Sequence, residues 1–184
     1  MAEPKPPMPV LIGLRGSGKS TLGRALAQHL ERPFIDLDDV TAMALDAPSP
    51  GEAIQRLGLL VFRAAEAEAL AGVLRRRDGS VVALGGGSPT APGAPEALGH
   101  ARAEGTARIC YLRASAETLA KRLGQSDLTT RPSLTGRGTV EEIADLLAQR
   151  DTLYRDLADE TIETDTLSED ATLERLAAWI ERPS

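Results

Sequence analysis

The residues with the most specific chemistry are Gly16, Ser17, Gly18, Lys19 and Ser20, within the run Gly13-Leu14-Arg15-Gly16-Ser17-Gly18-Lys19-Ser20, and Thr21 directly after it. Glycines allow the backbone to curl so that successive N–H groups point at one centre, where they can cradle phosphates. A lysine directly after the last glycine can reach the β- and γ-phosphates of a nucleoside triphosphate. A hydroxyl next to it is placed to ligate Mg²⁺. The flanks suit this reading. Pro9-Val10-Leu11-Ile12 is an apolar run of strand length, and Thr21 to Leu30 carries apolar residues at helical spacing. Strand, glycine-rich turn, Lys-Ser and helix form the context that a phosphate-binding P-loop needs, with the positive end of the helix dipole at the same point. The loop alone implies a bound triphosphate and names no reaction.

Other residues could act on a second substrate. Asp36 and Asp38 close a second apolar run, Pro33-Phe34-Ile35-Asp36-Leu37-Asp38. In an extended segment they point to one side. One carboxylate could organise the water shell of Mg²⁺, and the other could accept a proton from a substrate hydroxyl. The competing reading is helix capping by Asp38 or Asp39. Arg63 and Glu66 share a helix face at spacing i, i+3. They form either a surface ion pair, which is worth little, or a fork for a substrate carboxylate. Gly85, Gly86 and Gly87 follow the third apolar run. They leave room for a ligand and offer backbone N–H groups, or they form a flexible turn. The polar stretch 124–138 contains Arg131 and reads as an active-site lid or a mobile loop. Arg150, on a long helical stretch, could serve an anionic substrate or be solvated.

Five strand candidates, at 9–14, 33–38, 80–85, 107–113 and 160–164, alternate with helical stretches. Such alternation implies an α/β fold with a parallel sheet covered on both faces and ligands beyond the carboxyl ends of the strands. Helices are expected after a Pro/Ser/Gly break at 47–51 and onward to about Arg77, from Ser115 as N-cap to about Leu123, over about 139–157, and over about 168–181. The 184 residues fit one domain, with residues 1–8 as a disordered lead. Aromatic residues make up 3% of the chain, so the core must be aliphatic. The net charge of −6 argues against nucleic acid and anionic membranes as partners. Cys110 is the single cysteine and lies in an apolar run, which reads as a packed thiol. No run approaches the length of a membrane span, and no secretory signal is present, so a cytoplasmic location is expected.

Taken in order, these motifs resemble the shikimate kinase family. The resemblance spans about residues 9–160: the P-loop Gly13–Ser20, Asp36-Leu37-Asp38, Phe62-Arg63-x-x-Glu66, Gly85-Gly86-Gly87, Arg131-Pro132 and Arg150-x-x-x-Tyr154. It implies a three-layer P-loop kinase fold with a five-stranded parallel sheet, a lid and a substrate-binding helical segment. The implied reaction is ATP-dependent phosphorylation of the 3-hydroxyl of shikimate, by a monomer with Mg²⁺. By position, Asp38, Arg63, Gly85, Gly86, Gly87 and Arg150 would hold shikimate, with both arginines on its carboxylate. Asp38 would bind the reacting hydroxyl. Ser20 would ligate Mg²⁺ directly, and Asp36 would do so through water. Lys19 and Arg131 would stabilise the transferring phosphoryl group, and Arg122 would lie against adenine. Ser133 in the lid and Asp39-Val40-Thr41 depart from the family pattern without removing a reacting group. A gluconate-type sugar-acid kinase is the main alternative. A GTP-dependent switch would need an Asn-Lys-x-Asp motif, and the chain has no asparagine.

Overall fold

The structure is a computed structural model that describes residues 5–125 and 140–182. Five strands form one parallel sheet: β1 (Met8–Ile12), β2 (Phe34–Asp36), β3 (Val81–Ala83), β4 (Ala107–Arg113) and β5 (Glu160–Glu163). Their order is β2-β3-β1-β4-β5. The chain moves outward from β1 to β2, returns to β3 and then crosses to β4. The ligand-binding crevice of such a sheet opens at the carboxyl end of β1, where the winding changes side.

Among the described residues, eight α-helices surround the sheet: α1 (Lys19–His29), α2 (Leu37–Ala44), α3 (Pro50–Leu57), α4 (Leu59–Arg76), α5 (Ala94–Ala103), α6 (Ala116–Gln125), α7 (Val140–Leu157) and α8 (Glu169–Glu181). Strand side chains alternate between two cores, as pleating requires. Val10, Ile12, Val82, Ile109 and Tyr111 face Leu70 and Val73 of α4, Leu98 of α5 and Tyr154 of α7. Leu11, Val81, Cys110 and Leu112 face Leu22 and Leu26 of α1 and Leu176, Trp179 and Ile180 of α8. Both faces are covered, which is why the strands read as continuous apolar runs. Cys110 is fully buried. Burial pushes its thiol well above the ordinary range, and Glu160 and Asp159 act in the same direction. It is a packing residue.

The elements differ from the sequence expectation in four places. Met8 belongs to β1 and is fully buried rather than part of a lead, because it pairs with Ala107 at the end of the β1–β4 register. The stretch up to Arg77 is two helices, parted at Gly58, whose φ of 86° interrupts helical geometry. The break at 47–51 is shorter than its composition suggests. Ser49 caps α3 through a 3.2 Å bond from the Glu52 N–H, and Pro50 opens the helix. Finally, the cap of α2 is Asp36, not Asp38 or Asp39, since its Oδ1 accepts from the Asp38 N–H at 3.2 Å.

Candidate active site

α1 begins directly at the P-loop. Gly18 occupies its N-cap position in the left-handed region (φ 90°), and no side chain caps the first turn. The N–H groups there keep their donor capacity for an anion. Lys19 is buried, and its Nζ donates to Leu14 O at 2.9 Å and Ser17 Oγ at 3.4 Å, which holds the ammonium against the loop. One residue on, Ser20 Oγ donates to Asp36 Oδ2 at 2.6 Å. The sheet brings these groups together. β3 separates β2 from β1, yet both strands end at the same level, with Asp36 and Leu11 each paired to Ala83. A hydroxyl and a carboxylate at the mouth of a phosphate loop are hard oxygen donors, and they suit Mg²⁺.

The β2–β3 register also explains the glycines. Asp36 is level with Ala83, and just beyond the two strand ends Asp38, in the first turn of α2, lies against Gly85. A Cβ on Gly85 would collide with Asp38 Oδ1 and stand 2.6 Å from Glu66 Oε1 and 2.8 Å from Ser88 Oγ. A Cβ on Gly86 would lie 2.9 Å from the Arg15 backbone nitrogen. One on Gly87 would meet the Arg63 guanidinium, with Cζ at 2.6 Å. The three glycines therefore make room for protein groups that converge on the strand end. Their carbonyls do work that the sequence reading assigned to N–H groups. Gly87 O accepts from Arg63 Nη1 at 2.5 Å, and Thr90 Oγ1 takes a second bond from the same nitrogen at 3.1 Å. Gly86 O accepts from Arg150 Nη1 at 2.8 Å and from the Tyr154 hydroxyl at 2.7 Å.

Arg150 and Tyr154 lie one turn apart on α7, so both meet the same carbonyl. A second set of contacts pins this helix to the sheet. The Tyr111 ring meets Tyr154 edge to face with centroids 5.4 Å apart. Asp151 accepts from the Tyr111 hydroxyl at 2.9 Å, from Arg113 Nε at 2.7 Å and from Arg155 Nε at 2.9 Å. Burial works to raise the Asp151 pKa, but the hydrogen bonds from Arg155, Arg113 and Tyr111 outweigh it and hold the group below its ordinary value.

These groups line one cleft of about 540 Å³. Gly16, Gly18, Lys19, Ser20 and Thr21 form one part of its wall, and Asp38, Arg63, Gly86, Gly87 and Arg150 another. Gly85, Ser17 and Asp36 lie behind that lining, in contact with it. Arg122 is placed differently. Its guanidinium donates to Thr164 Oγ1 at 3.0 Å and Thr164 O at 2.8 Å, which ties α6 to the end of β5. The expected lid arginine, Arg131, lies outside the described residues. The apolar side of the cleft was not foreseen: Ile54, Leu59 and Phe62 from α3 and α4, and Ile143 and Leu146 from α7. Nor was Ser88, whose hydroxyl donates to Glu66 Oε1. Its position right after the glycines is the one signal that marked it.

A P-loop at the switch of a five-stranded parallel sheet, facing a pocket of arginines and a carboxylate, is the architecture of a P-loop kinase. The chain matches the shikimate kinase family over residues 15–181. It is 42% identical over 149 residues to shikimate kinase 2 of Yersinia pestis (strain Pestoides F), covering 80% of this chain and 81% of that one. Among solved structures, shikimate kinase from Acinetobacter baumannii in complex with shikimate superposes with a TM-score of 0.84 at 29% identity, covering 96% of this chain and 94% of the other. A gluconokinase from Sinorhizobium meliloti 1021 shares the fold alone, with a TM-score of 0.53 at 19% identity over 95% of this chain and 91% of its own. This chain belongs to the shikimate kinase family.

Proposed function

We propose that the chain transfers the γ-phosphoryl group of ATP to the 3-hydroxyl of shikimate. The observation that carries this reading is the pairing of Arg63 and Arg150 on adjacent carbonyls of one glycine turn, opposite the P-loop and beside Asp38. Two guanidiniums held by backbone oxygens keep further donors for a carboxylate, and their planar forks match it. Asp38 then meets a hydroxyl on the same small ring. Among solved structures, the shikimate kinase complex superposes at a TM-score of 0.84 and 29% identity against 0.53 and 19% for the gluconokinase, which favours shikimate over a sugar acid.

The P-loop N–H groups and Lys19 bind the β- and γ-phosphates and offset charge that builds during transfer. Ser20 and Asp36 would hold Mg²⁺, the first directly and the second through water, and the ion would neutralise phosphate charge. Arg63 and Arg150 fix the acceptor by its carboxylate, which converts a bimolecular encounter into a positioned one. The acceptor oxygen forms a bond to the γ-phosphorus, the bond to the β,γ-bridging oxygen breaks, and ADP departs with that electron pair. The hydroxyl proton passes to Asp38. Arg131 would add positive charge at the transferring group, and Arg122 would contact adenine. The chain would act as a monomer, and a cytoplasmic location suits the use of ATP.

ADP release with ATP, Mg²⁺ and either shikimate or gluconate tests the reading. Turnover with shikimate alone is the expected result. Turnover with gluconate, or with neither, overturns the acceptor assignment while leaving the kinase fold intact.

A further inference from the structure

The two glycine carbonyls that hold arginines are braced in different ways. Gly87 O, which holds Arg63, also accepts from Thr90 Oγ1 at 2.7 Å, and Thr90 is an exposed residue of the same turn. Gly86 O, which holds Arg150, accepts its second bond from the Tyr154 hydroxyl at 2.7 Å. Tyr154 comes from α7, 68 residues along the chain, and is 0% exposed, so water cannot stand in for its hydroxyl. Arg150 beside it is half-buried.

Tyr154 is the more rigid of the two donors to Gly86 O. Its ring is set edge-on against Tyr111, with the planes at 88°, and a ring has fewer torsions to fix than an arginine chain. Burial pushes its phenol above the ordinary value, which keeps the donor proton in place. The peptide held by these bonds lies between Gly86 and Gly87. With no Cβ on either side, it turns at low steric cost unless its carbonyl is fixed. A carbonyl oxygen has two lone pairs, and Arg150 and Tyr154 fill both.

We propose that Tyr154 is a positioning residue for the acceptor: its hydroxyl fixes the Gly86 carbonyl, and that carbonyl holds the Arg150 guanidinium in the cleft. The inference rests on the reading of Arg150 as one of the two groups that take the acceptor carboxylate. A spacing of i, i+4 on α7 lets both side chains reach one oxygen. Arg150 lines the cleft and Tyr154 stands behind it, so the acceptor meets the arginine and not the tyrosine. Without the hydroxyl, one lone pair of Gly86 O is left empty where water does not reach, and Arg150 rests on a peptide that is free to turn.

Three variants and one spectroscopic measurement test this role. Tyr154→Phe removes the hydroxyl and keeps the ring against Tyr111. It is expected to raise the KM for shikimate about threefold to tenfold, the scale of one hydrogen bond. Its kcat and its KM for ATP should stay within about twofold, since the loss is one of acceptor binding. In an Arg150→Ala background the same change should add less than about twofold, because the two side chains act as a unit. Tyr111→Phe loses a buried hydroxyl from the same packing but no bond to Gly86, and it should leave the KM for shikimate within about twofold. An unchanged KM in Tyr154→Phe, an additive rise in the double variant, or an equal rise in Tyr111→Phe would each overturn the proposal. Nuclear magnetic resonance supplies a readout that needs no substrate. The carbonyl carbon of Gly86 and the amide nitrogen of Gly87 report hydrogen bonding at this oxygen. Both resonances should move in Tyr154→Phe and hold in Tyr111→Phe, and no movement in Tyr154→Phe would overturn the brace. A wild-type enzyme inactive on shikimate would instead overturn the functional reading, and the resonances would still decide whether the hydroxyl fixes the carbonyl.

Discussion

Gly87→Ala separates the two explanations for the glycine turn, room for a ligand or room for Arg63. Gly87 has φ −119° and ψ −6°, a conformation open to alanine, so the substitution stores little backbone strain. The new methyl would stand 2.6 Å from Arg63 Cζ. Ordinary carbon contacts lie near ~3.5–4.0 Å, so the guanidinium must retreat by about 1 Å. That movement breaks its 2.5 Å bond to Gly87 O. Hydrogen bonds to charged groups contribute about 1.5–3 kcal/mol. Arg63 is half-buried and regains part of this from water, so about 1–2 kcal/mol of acceptor positioning should be lost. At ~1.4 kcal/mol per decade, the KM for shikimate rises roughly 5- to 30-fold. The KM for ATP and the thermal midpoint should change little. The assay is coupled ADP release with shikimate varied at saturating ATP, repeated in an Arg63→Ala background. If the methyl acts through Arg63, it has almost no further effect there. Additive losses in the double variant would refute the argument and return the glycine to a direct substrate contact.

Asp38→Asn should fold and bind ATP with near wild-type affinity while turnover drops by about 10²-fold or more, the scale of lost general-base chemistry; wild-type turnover would remove Asp38 from its role. Gly23→Ala would place a Cβ 2.6 Å from Phe34 Cε2 in the packing of α1 on the sheet. It should destabilise by about 1–3 kcal/mol, read as a lower denaturant midpoint at constant m-value, and Phe34→Leu should recover part of that loss. The pKa of Asp151 is held below its ordinary value by hydrogen bonds from Arg155, Arg113 and Tyr111, which outweigh burial. Its contribution is thus present above the unfolded carboxyl pKa and is lost as pH falls through the lower folded value. Asp151→Asn should therefore be less stable than wild type at neutral pH, with the gap closing below about pH 4. A gap independent of pH in acid unfolding curves would refute the charge assignment.

Much of the architecture was legible because its signals are local. A strand buried on both faces must be apolar throughout, and Val81-Val82-Ala83 and Ile109-Cys110-Tyr111-Leu112 are. A phosphate loop must be rich in glycine and must precede a helix, so Gly16 to Ser20 declared themselves. The same holds for Asp36, Asp38, Arg63 and Arg150, whose types and order carried the family resemblance. What local pattern could not convey was which groups face one another. Nothing in Gly85-Gly86-Gly87 states that their carbonyls accept from Arg63, Arg150 and Tyr154, because those partners are 24, 64 and 68 residues away. The sequence offered Asp38 or Asp39 as the cap of α2, whereas Asp36 caps it and also meets Ser20. Nor does the sequence state that Ser88 meets Glu66, 22 residues away on α4. The apolar wall of the cleft depends on the turn at Gly58, which breaks one expected helix into two. Residue type and short-range spacing determined the fold class, the phosphate loop and the list of reactive groups. Strand register and helix packing decided which of them meet, since both are set by side-chain contacts between segments distant in the chain.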